Sequence, residues 1–548
     1  MNRRYHPNCS TFVVLFAFVL TACSSGGGGG NGLRTGRFVD GPVSGLYYET
    51  ATMAGQTNAQ GEFQYRSGET VRFLVGDILI GEATGAATLS PFDLAGMTPP
   101  TSQSDIYRAM HQMMNQRGAT PLDRVINIAV FLQTIDDNGD AADGIQVPAE
   151  MHNLAVGVIL DFDQSFYRFG EGFALRSLLA AGRGAGLWGG SRARVNYLYA
   201  LDHLYDGLGL TPSIDAVAAI ESDTDMDGTA DHRIAYGYDA AGNRTLRAYD
   251  DDADGVANRS EVWAYDAYGN QTLAEDDIDG DGIADERDVY VFDGNGNEIR
   301  HDYDSDGDGL LVDRVTRTHN AFGDETYYER DWDGDGIVDM SSTSTYDANG
   351  NLTAVEDDDD FDGTIDDSET YTYDANGNQI TREVDYGNDG TVNYRSTYTY
   401  DANGNRTMCE YDTDADDIVD NRTTWTYDAN GLFSGIANDT DGDGTIDNWY
   451  RVGYDAEGNR ILEERDDDGD DIADERTTFA YNANGSRTLR EFDNNGDGIV
   501  DERTTYAYDA SGRIVSASYD NDNDGTVDRM DRFTHVTINK WCALDFDR

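Results

Sequence analysis

Four patterns of apolar and polar positions follow one another along the chain. Residues 12–20 form a short unbroken apolar run, too short to span a bilayer. Between 36 and 100 the runs are brief and alternating: Arg37-Phe38-Val39, Gly45-Leu46-Tyr47-Tyr48, Gly61-Glu62-Phe63-Gln64-Tyr65 and Thr70-Val71-Arg72-Phe73-Leu74-Val75. Gly- and Asn-rich turns separate them, so a small β-sandwich is predicted. From 101 to 222 the period becomes helical. Ile106, Met110, Met113 and Met114 recur at helix spacing, as do Val125, Ile128, Val130, Phe131 and Leu132, with further pieces at 178–181 and 197–204. A small helical subdomain follows from this, with Met110 to Met114 read as core packing and not as a soft-metal site.

From residue 223 onward the pattern repeats. An Asp opens a block at 223, 250, 277, 304, 331, 358, 385, 412, 439, 466, 493 and 520, always 27 residues apart. Each block leads into a Thr- and aromatic-rich segment, a turn such as Asp374-Ala375-Asn376-Gly377-Asn378, and a second segment back to the next block. Tyr371 and Tyr373 stand two apart and share one strand face. Tyr236/Tyr238, Trp263/Tyr265, Trp425/Tyr427 and Tyr506/Tyr508 repeat the pair. Each unit therefore reads as a β-hairpin whose Asn-Gly supplies the positive φ of a tight turn. Stacked hairpins are expected to bury a continuous aromatic ladder. The fold class is mainly β: a β-sandwich, a short helical subdomain, then an elongated or spiralling β-hairpin array of twelve units over 223–548.

The Asp blocks carry the candidate chemistry. Oxygen side chains at positions 1, 3 and 5, Gly at 6, an apolar residue at 8 and an acid at 9 converge on one point, an arrangement that a hard cation favours. The candidate Ca²⁺ ligands are Asp223, Asp225, Asp227 and Asp231; Asp277, Asp279, Asp281 and Asp285; Asp304, Asp306 and Asp308; Asp331, Asp333, Asp335 and Asp339; and Asp358, Asp360, Asp362 and Asp366. The C-terminal half adds Asp439, Asp441, Asp443 and Asp447; Asp466, Asp468, Asp470 and Asp474; Asp493, Asn495, Asp497 and Asp501; and Asp520, Asp522, Asp524 and Asp528. An EF-hand has a bidentate Glu at position 12, but only Glu261, Asp288, Glu369 and Asp531 are acidic there. These loops resemble thrombospondin type 3 and dockerin-like calcium motifs, which implies structural Ca²⁺. A further loop, Asp136-Asp137-Asn138-Gly139-Asp140, reads equally as a calcium loop or as a plain acidic turn.

The Tyr-Asp-Ala-Asn-Gly-Asn units resemble the YD repeats of rearrangement-hotspot (RHS) and teneurin-like proteins. That resemblance implies a β-sheet wound into a spiral, sometimes a closed shell around a toxin. About 20 residues follow Asp528, and no cargo domain is expected. Residues 40–47 with 57–65 resemble the carboxypeptidase-regulatory-like modules of bacterial surface proteins, which implies a spacer.

Charge narrows the partners. The formal net charge is -65, and 223–548 holds 25 basic against 83 acidic side chains. Such a surface repels phosphate and anionic lipid, which argues against nucleic acid. Arg3 and Arg4, the apolar run and Leu20-Thr21-Ala22-Cys23 match a bacterial lipobox. The match implies a signal peptide over 1–22, lipidation of Cys23, a Gly-rich tether to residue 35 and an outer-membrane anchor on the periplasmic or cell-surface side. Cys409 and Cys542 remain and are read as unpaired thiols, with pairing left open. Gly184-Ala185-Gly186-Leu187-Trp188-Gly189 fits a dinucleotide pattern but follows a helical stretch, so it reads as a loop. No zinc, nucleophile-elbow or P-loop pattern is present, so no enzyme is expected, a hydrolase within 101–222 being the remote alternative. Two roles remain: a calcium-stiffened structural or adhesive protein with an unknown protein or glycan ligand, and a shell or scaffold that encloses or docks a partner protein.

Overall fold

The computed structural model describes residues 32–115, 119–188, 194–402 and 404–543. The signal segment, Cys23 and residues 24–31 of the tether lie outside the described residues. The first strand, Leu33–Phe38, begins within the segment read as tether.

The N-terminal part joins two small sheets, and a two-stranded parallel pair of Val43–Ser44 with Ile145–Gln146, to a set of helices. One sheet orders Ala54–Gln56, Tyr47–Glu49, Thr70–Val75 and Ile78–Thr84; the other orders Glu62–Arg66, Leu33–Phe38 and Thr88–Leu89. Phe38, Phe63 and Phe73 point inward; Phe63 and Phe73 pack edge to face with centroids 5.2 Å apart, and Phe38 meets Phe73 at a tilt with centroids 4.7 Å apart. The helix Pro121–Thr134 opens on a Thr120/Asp123 capping box with Pro at its first turn. It is buried almost all round: Ile128, Phe131 and Leu132 join the sheet core, and Val125, Ile126 and Ala129 join a second cluster of helices. This helix thus joins the sheet core to a second, mainly helical cluster. Met110 and Met113 are buried in the second cluster, whereas Met114 is half exposed.

The repeats close into a ring. Twenty-four strands form one antiparallel barrel, from Asp215–Asp223 to Arg529–Thr537. The closing seam pairs these two strands over eight positions, from Asp215↔Thr537 to Asp223↔Met530. The expected elongated or spiralling array is therefore corrected to a closed barrel. Its first strand lies in the segment expected to be helical and supplies the second strand of the last hairpin.

Register sets the shape. Tyr236 faces Arg247, which faces Glu261, 25 residues further on against a repeat of 27. The seam keeps that two-residue offset: Arg532 faces Glu221, which faces Arg233, whereas its counterpart eleven repeats earlier is Ala235. Closure thus adds no step along the axis, and equivalent positions lie in one plane. A stagger of one residue per strand tilts the strands by about 35° and makes a ring roughly 40 Å across and about 20 Å tall.

Such a ring is too wide for side chains to fill. Its strand positions are mostly half-buried on both faces, and the two apolar core clusters lie in the N-terminal part and in a C-terminal latch, Ile538, Trp541 and Ala543, that follows the last strand. The expected aromatic ladder is real but not a dry core; guanidinium groups interleave it. Arg244 lies over Tyr236 and Trp263, Arg406 over Tyr398 and Trp425, and Arg487 over Phe479 and Tyr506. The second aromatic of each pair ties neighbouring hairpins together. Nine Tyr hydroxyls, such as Tyr373 to the Leu352 carbonyl at 2.7 Å, donate to the backbone 21 residues earlier.

The two rims differ. At one, Asp374 accepts the backbone N–H groups of Asn376 and Asn378 on Oδ1 and the Asn378 amide on Oδ2. Gly377 alone carries positive φ, at 83°, and the register slips after Thr372, so the hairpin loop is a bulged one and not a two-residue turn. The N-terminal part docks on this rim: Arg176 pairs with Asp324, the Tyr199 hydroxyl accepts from Asn243, and Arg108 donates to Asn484. The opposite rim consists of the Asp blocks.

Candidate functional site

Each Asp block is a nine-residue loop bridging two hairpins. Its closure is local: the N–H of position 9 returns to the carbonyl just before position 1, as Asp231 does to Ser222 at 2.8 Å. The backbone turns through two left-handed residues, at positions 4 and 6 of all twelve loops. Position 4 packs against the preceding loop. A Cβ on Gly334 would lie 1.8 Å from the Leu311 carbonyl oxygen, and one on Gly496 1.9 Å from that of Ala473. Met226 and Phe361 hold the same left-handed conformation without being glycine.

The carboxylates are placed by the loop's own N–H groups. Position 1 accepts from the N–H of position 6 in every loop, as Asp331 Oδ2 does from Gly336 at 2.8 Å and Asp439 Oδ2 from Gly444 at 3.0 Å. Position 5 accepts from position 7, as in Ile283 to Asp281 at 2.8 Å. Position 9 accepts from position 2, as in Trp332 to Asp339 at 2.7 Å. In several loops a Thr hydroxyl adds to this. Thr229 holds the Asp227 carboxyl below the ordinary range, and Thr224, Thr445 and Thr440 do the same for Asp231, Asp443 and Asp447. These groups stay ionised.

Bound in this way, the oxygens converge. Among the described residues ten groups of three or more metal-ligating side chains bring ligand atoms within 4.8 Å of one another, including Asp223/Asp225/Asp227, Asp277/Asp279/Asp285, Asp304/Asp306/Asp308 and Asp331/Asp333/Asp339. The position-1 carboxylate has two different ends. Oδ2 is satisfied by the loop, whereas the Oδ1 atoms of Asp223, Asp277, Asp331, Asp439 and Asp520 are buried without a hydrogen-bond partner. Asp223 and Asp439 are each 1% exposed. An ionised oxygen removed from water without a donor is costly, and a hard cation at the point of convergence supplies what it lacks. This donor set fits Ca²⁺.

The position-12 acids stand apart from the loops. Glu261 is held by Arg259, Asp288 by His301, Glu369 by Arg382 and Asp531 by Arg529, all within the strands. The block at Asp250, Asp252 and Asp254, left out of the sequence-based ligand set, forms the same cluster. Its signal was in the sequence, with Asp at positions 1, 3 and 5 and Gly255 at position 6; only Asn258 departs, in place of the acid at position 9. In the Asp136 loop the oxygens have internal donors: Gly139 and Gln146 to Asp136, Ala142 to Asp140, and Asn138 to Asp143.

A cleft of about 510 Å³ lies between the docked N-terminal part and the other rim, lined by Arg176, Arg183, Tyr197, Asn270 and Asn297. Its guanidiniums hold the interface, Arg176 on Asp324 and Arg183 on the Ala321 carbonyl. Gly184 ends the helix Phe173–Gly184, so the glycine run there follows a helix. Cys409 is buried and free in the strand Arg406–Asp412. Among the described residues no helix is long and apolar enough to cross a membrane.

The chain matches no family model and no curated protein. Solved structures resemble it. The TcdB2-TccC3 crystal structure is 15% identical over 58% of this chain and 20% of that one, at a TM-score of 0.29. The Photorhabdus luminescens Tc holotoxin pore is 16% identical over 53% of this chain and 16% of that one, at 0.28. A porin-like protein from Bacteroides uniformis is 11% identical over 59% of this chain and 99% of that one, at 0.20. This chain spans about a fifth of the length of the toxin structures it matches.

Proposed function

We propose that the protein is a calcium-organised β-shell of the bacterial cell envelope, anchored through a lipid on Cys23, that docks or encloses a partner protein. The observation that carries this reading is a closed ring whose rim gathers acidic loops with buried carboxylate oxygens lacking a donor. Closure favours the shell over an extended adhesive rod, because a ring presents a cavity and two rims where a rod presents only a side. The role is structural, with Ca²⁺ as the resident ion and no catalytic centre.

Equilibrium dialysis of the full chain against calcium, with melting in EDTA and in millimolar calcium, tests the reading. Several ions per chain are expected. Because calcium binds the folded loops alone, the melting temperature should rise by roughly 10 °C or more. An unchanged melting temperature refutes it.

A further inference from the structure

We propose that the loops take up calcium in separate cooperative groups, and that the residue at position 4 of each loop sets where one group ends and the next begins. This rests on the calcium reading above. The observation that points to it is how each loop meets the one before. A Cβ built on Gly307 would lie 1.8 Å from the Ala284 carbonyl oxygen, one on Gly442 2.0 Å from that of Val419, one on Gly469 2.6 Å from that of Ile446 and one on Gly280 2.8 Å from that of Ala257. Gly334 and Gly496 make the same approach, and the carbonyl always belongs to position 8 of the preceding loop. A Cβ essentially never comes within 3.0 Å of another heavy atom, so only glycine lets the two backbones close to this distance. Two further junctions use a side-chain amide instead. Asn388 Nδ2 donates to the Ile365 carbonyl at 3.4 Å, and Asn523 Nδ2 to that of Val500 at 3.0 Å.

The contact couples neighbouring ions because ligands flank both of its ends. Position 4 stands between the oxygens of positions 3 and 5, and position 8 stands beside that of position 9. Gly307 lies between Asp306 and Asp308, and Ala284, in the loop before, precedes Asp285. Without an ion, repulsion among the carboxylates spreads positions 1 to 5, and position 4 moves with them. An ion in one loop fixes its position 4, and an ion in the preceding loop fixes the position 8 that it meets. The contact is complete only when both are held, so each ion favours the other, and by the same factor.

The chain interrupts this relay at four junctions. Ala253, Phe361 and Ala415 occupy position 4 with φ of 52°, 53° and 55°, and Met226 does so beside the seam with φ of 61°. Their side chains exclude the glycine approach. Across the junction before Asp412 an ion pair joins Arg395 to Asp417 at 2.8 Å, but Asp417 is 85% exposed and Arg395 belongs to the strand Tyr394–Tyr400, outside the loop. Such a pair contributes little. The loops therefore divide into a group of four opening at Asp250, Asp277, Asp304 and Asp331, a pair at Asp358 and Asp385, a group of five from Asp412 to Asp520, and the loop at Asp223 by itself. In the pair, Gly387 and Asn393 stand where other loops have acids, so the loop at Asp358 has a weak neighbour.

Hydrogen exchange of the full chain across a calcium titration, read peptide by peptide over each loop, tests this when calcium uptake is measured by equilibrium dialysis on the same samples. The loops at Asp277, Asp304 and Asp331 should gain protection together, with a Hill coefficient of about 2, and those from Asp439 to Asp520 at a midpoint of their own. Gly307→Ala sets a side chain against Ala284 in a loop conformation that Ala253 and Ala415 already adopt. The loops on its two sides should no longer share a midpoint. Gly309→Ala, at position 6, adds a Cβ that meets nothing; it controls for damage within the loop and should leave the group whole. Asp308→Ala removes an exposed ligand and should raise the midpoints of the loops at Asp277 and Asp331 about fivefold or more, with no change beyond Phe361. Calcium uptake with every loop titrating separately overturns this inference alone, as do one midpoint for the whole ring, a shift that crosses Phe361, or equal behaviour of the Gly307 and Gly309 variants. No calcium uptake overturns the reading beneath it as well.

Discussion

Asp331→Asn should stabilise the calcium-free protein and destabilise the calcium-loaded one. Without the ion, the ligand atoms of Asp331, Asp333 and Asp339 lie within 4.8 Å of one another. Two unit charges at that distance repel by about 0.9 kcal/mol in water and by about 3.5 kcal/mol at an effective dielectric of 20. Asp331 is 5% exposed and its partners more so, so each pair falls between these limits and salt lowers it further. Removing one charge deletes two of the three pairs, a relief of about 2–4 kcal/mol. The Asn carbonyl can keep the 2.8 Å bond from Gly336, so the loop retains its path. With calcium present the variant loses a ligand. A loop saturated at a hundred times its dissociation constant contributes about 2.7 kcal/mol to stability, and most of that is lost. At roughly 2 °C per kcal/mol for a domain of this size, calorimetry of the full chain should show a rise of a few degrees in EDTA and a fall of a few degrees in calcium. Added salt should shrink the rise. A fall in both buffers, or a rise that salt leaves untouched, refutes the reasoning.

Two further outcomes follow from the latch at the seam. Trp541 is fully buried, with its ring 5.3 Å from that of Tyr205, and its backbone N–H donates to Asp202 Oδ1 at 2.9 Å. Trp541→Ala should cost about 3–5 kcal/mol and speed hydrogen exchange first along Asp215–Asp223 and Arg529–Thr537; loss of protection spread evenly around the ring would contradict a localised seam. Burial pushes the Asp202 carboxyl from 3.8 up to about 7, against the Trp541 N–H and Lys540, with Asp206 nearby adding to the rise. The folded state therefore holds a proton that the unfolded chain releases near pH 4. Stability from this group is present in acid and lost as pH rises to about 7, by up to roughly 4 kcal/mol. Denaturant midpoints of Asp202→Asn against pH should lack that fall, and parallel curves for the two proteins would sink the argument.

Much of the candidate site was legible because it is local. Positions 1, 5 and 9 of each loop are set by hydrogen bonds spanning five residues for Asp331, two for Asp281 and seven for Asp339, so a nine-residue window contains the whole reason for their placement. The orphaned oxygens were not legible, since burial of Asp439 depends on the stacking of neighbouring loops. Nor was the exposure of Ile283 and Ile337 at position 7: each reads from sequence like any core aliphatic, and only the outward turn of the rim leaves it in water.

By itself the sequence determined the 27-residue hairpin, the paired aromatics on one strand face and the Asp-Ala-Asn-Gly-Asn turn, because each follows from side-chain alternation and from an Asp capping its own backbone. Tertiary structure alone decided that the hairpins close. Asp215–Asp223, with the sequence Asp-Ala-Val-Ala-Ala-Ile-Glu-Ser-Asp, has weak alternation and three alanines. It becomes a strand because His232–Tyr238 and Arg529–Thr537 offer hydrogen-bonding edges on both of its sides. Those two edges lie close to it and some three hundred residues away from it in the chain. Whether a repeat array ends as a rod or a ring depends on the stagger summed over every strand, and on whether the last edge meets the first. No local window contains that sum.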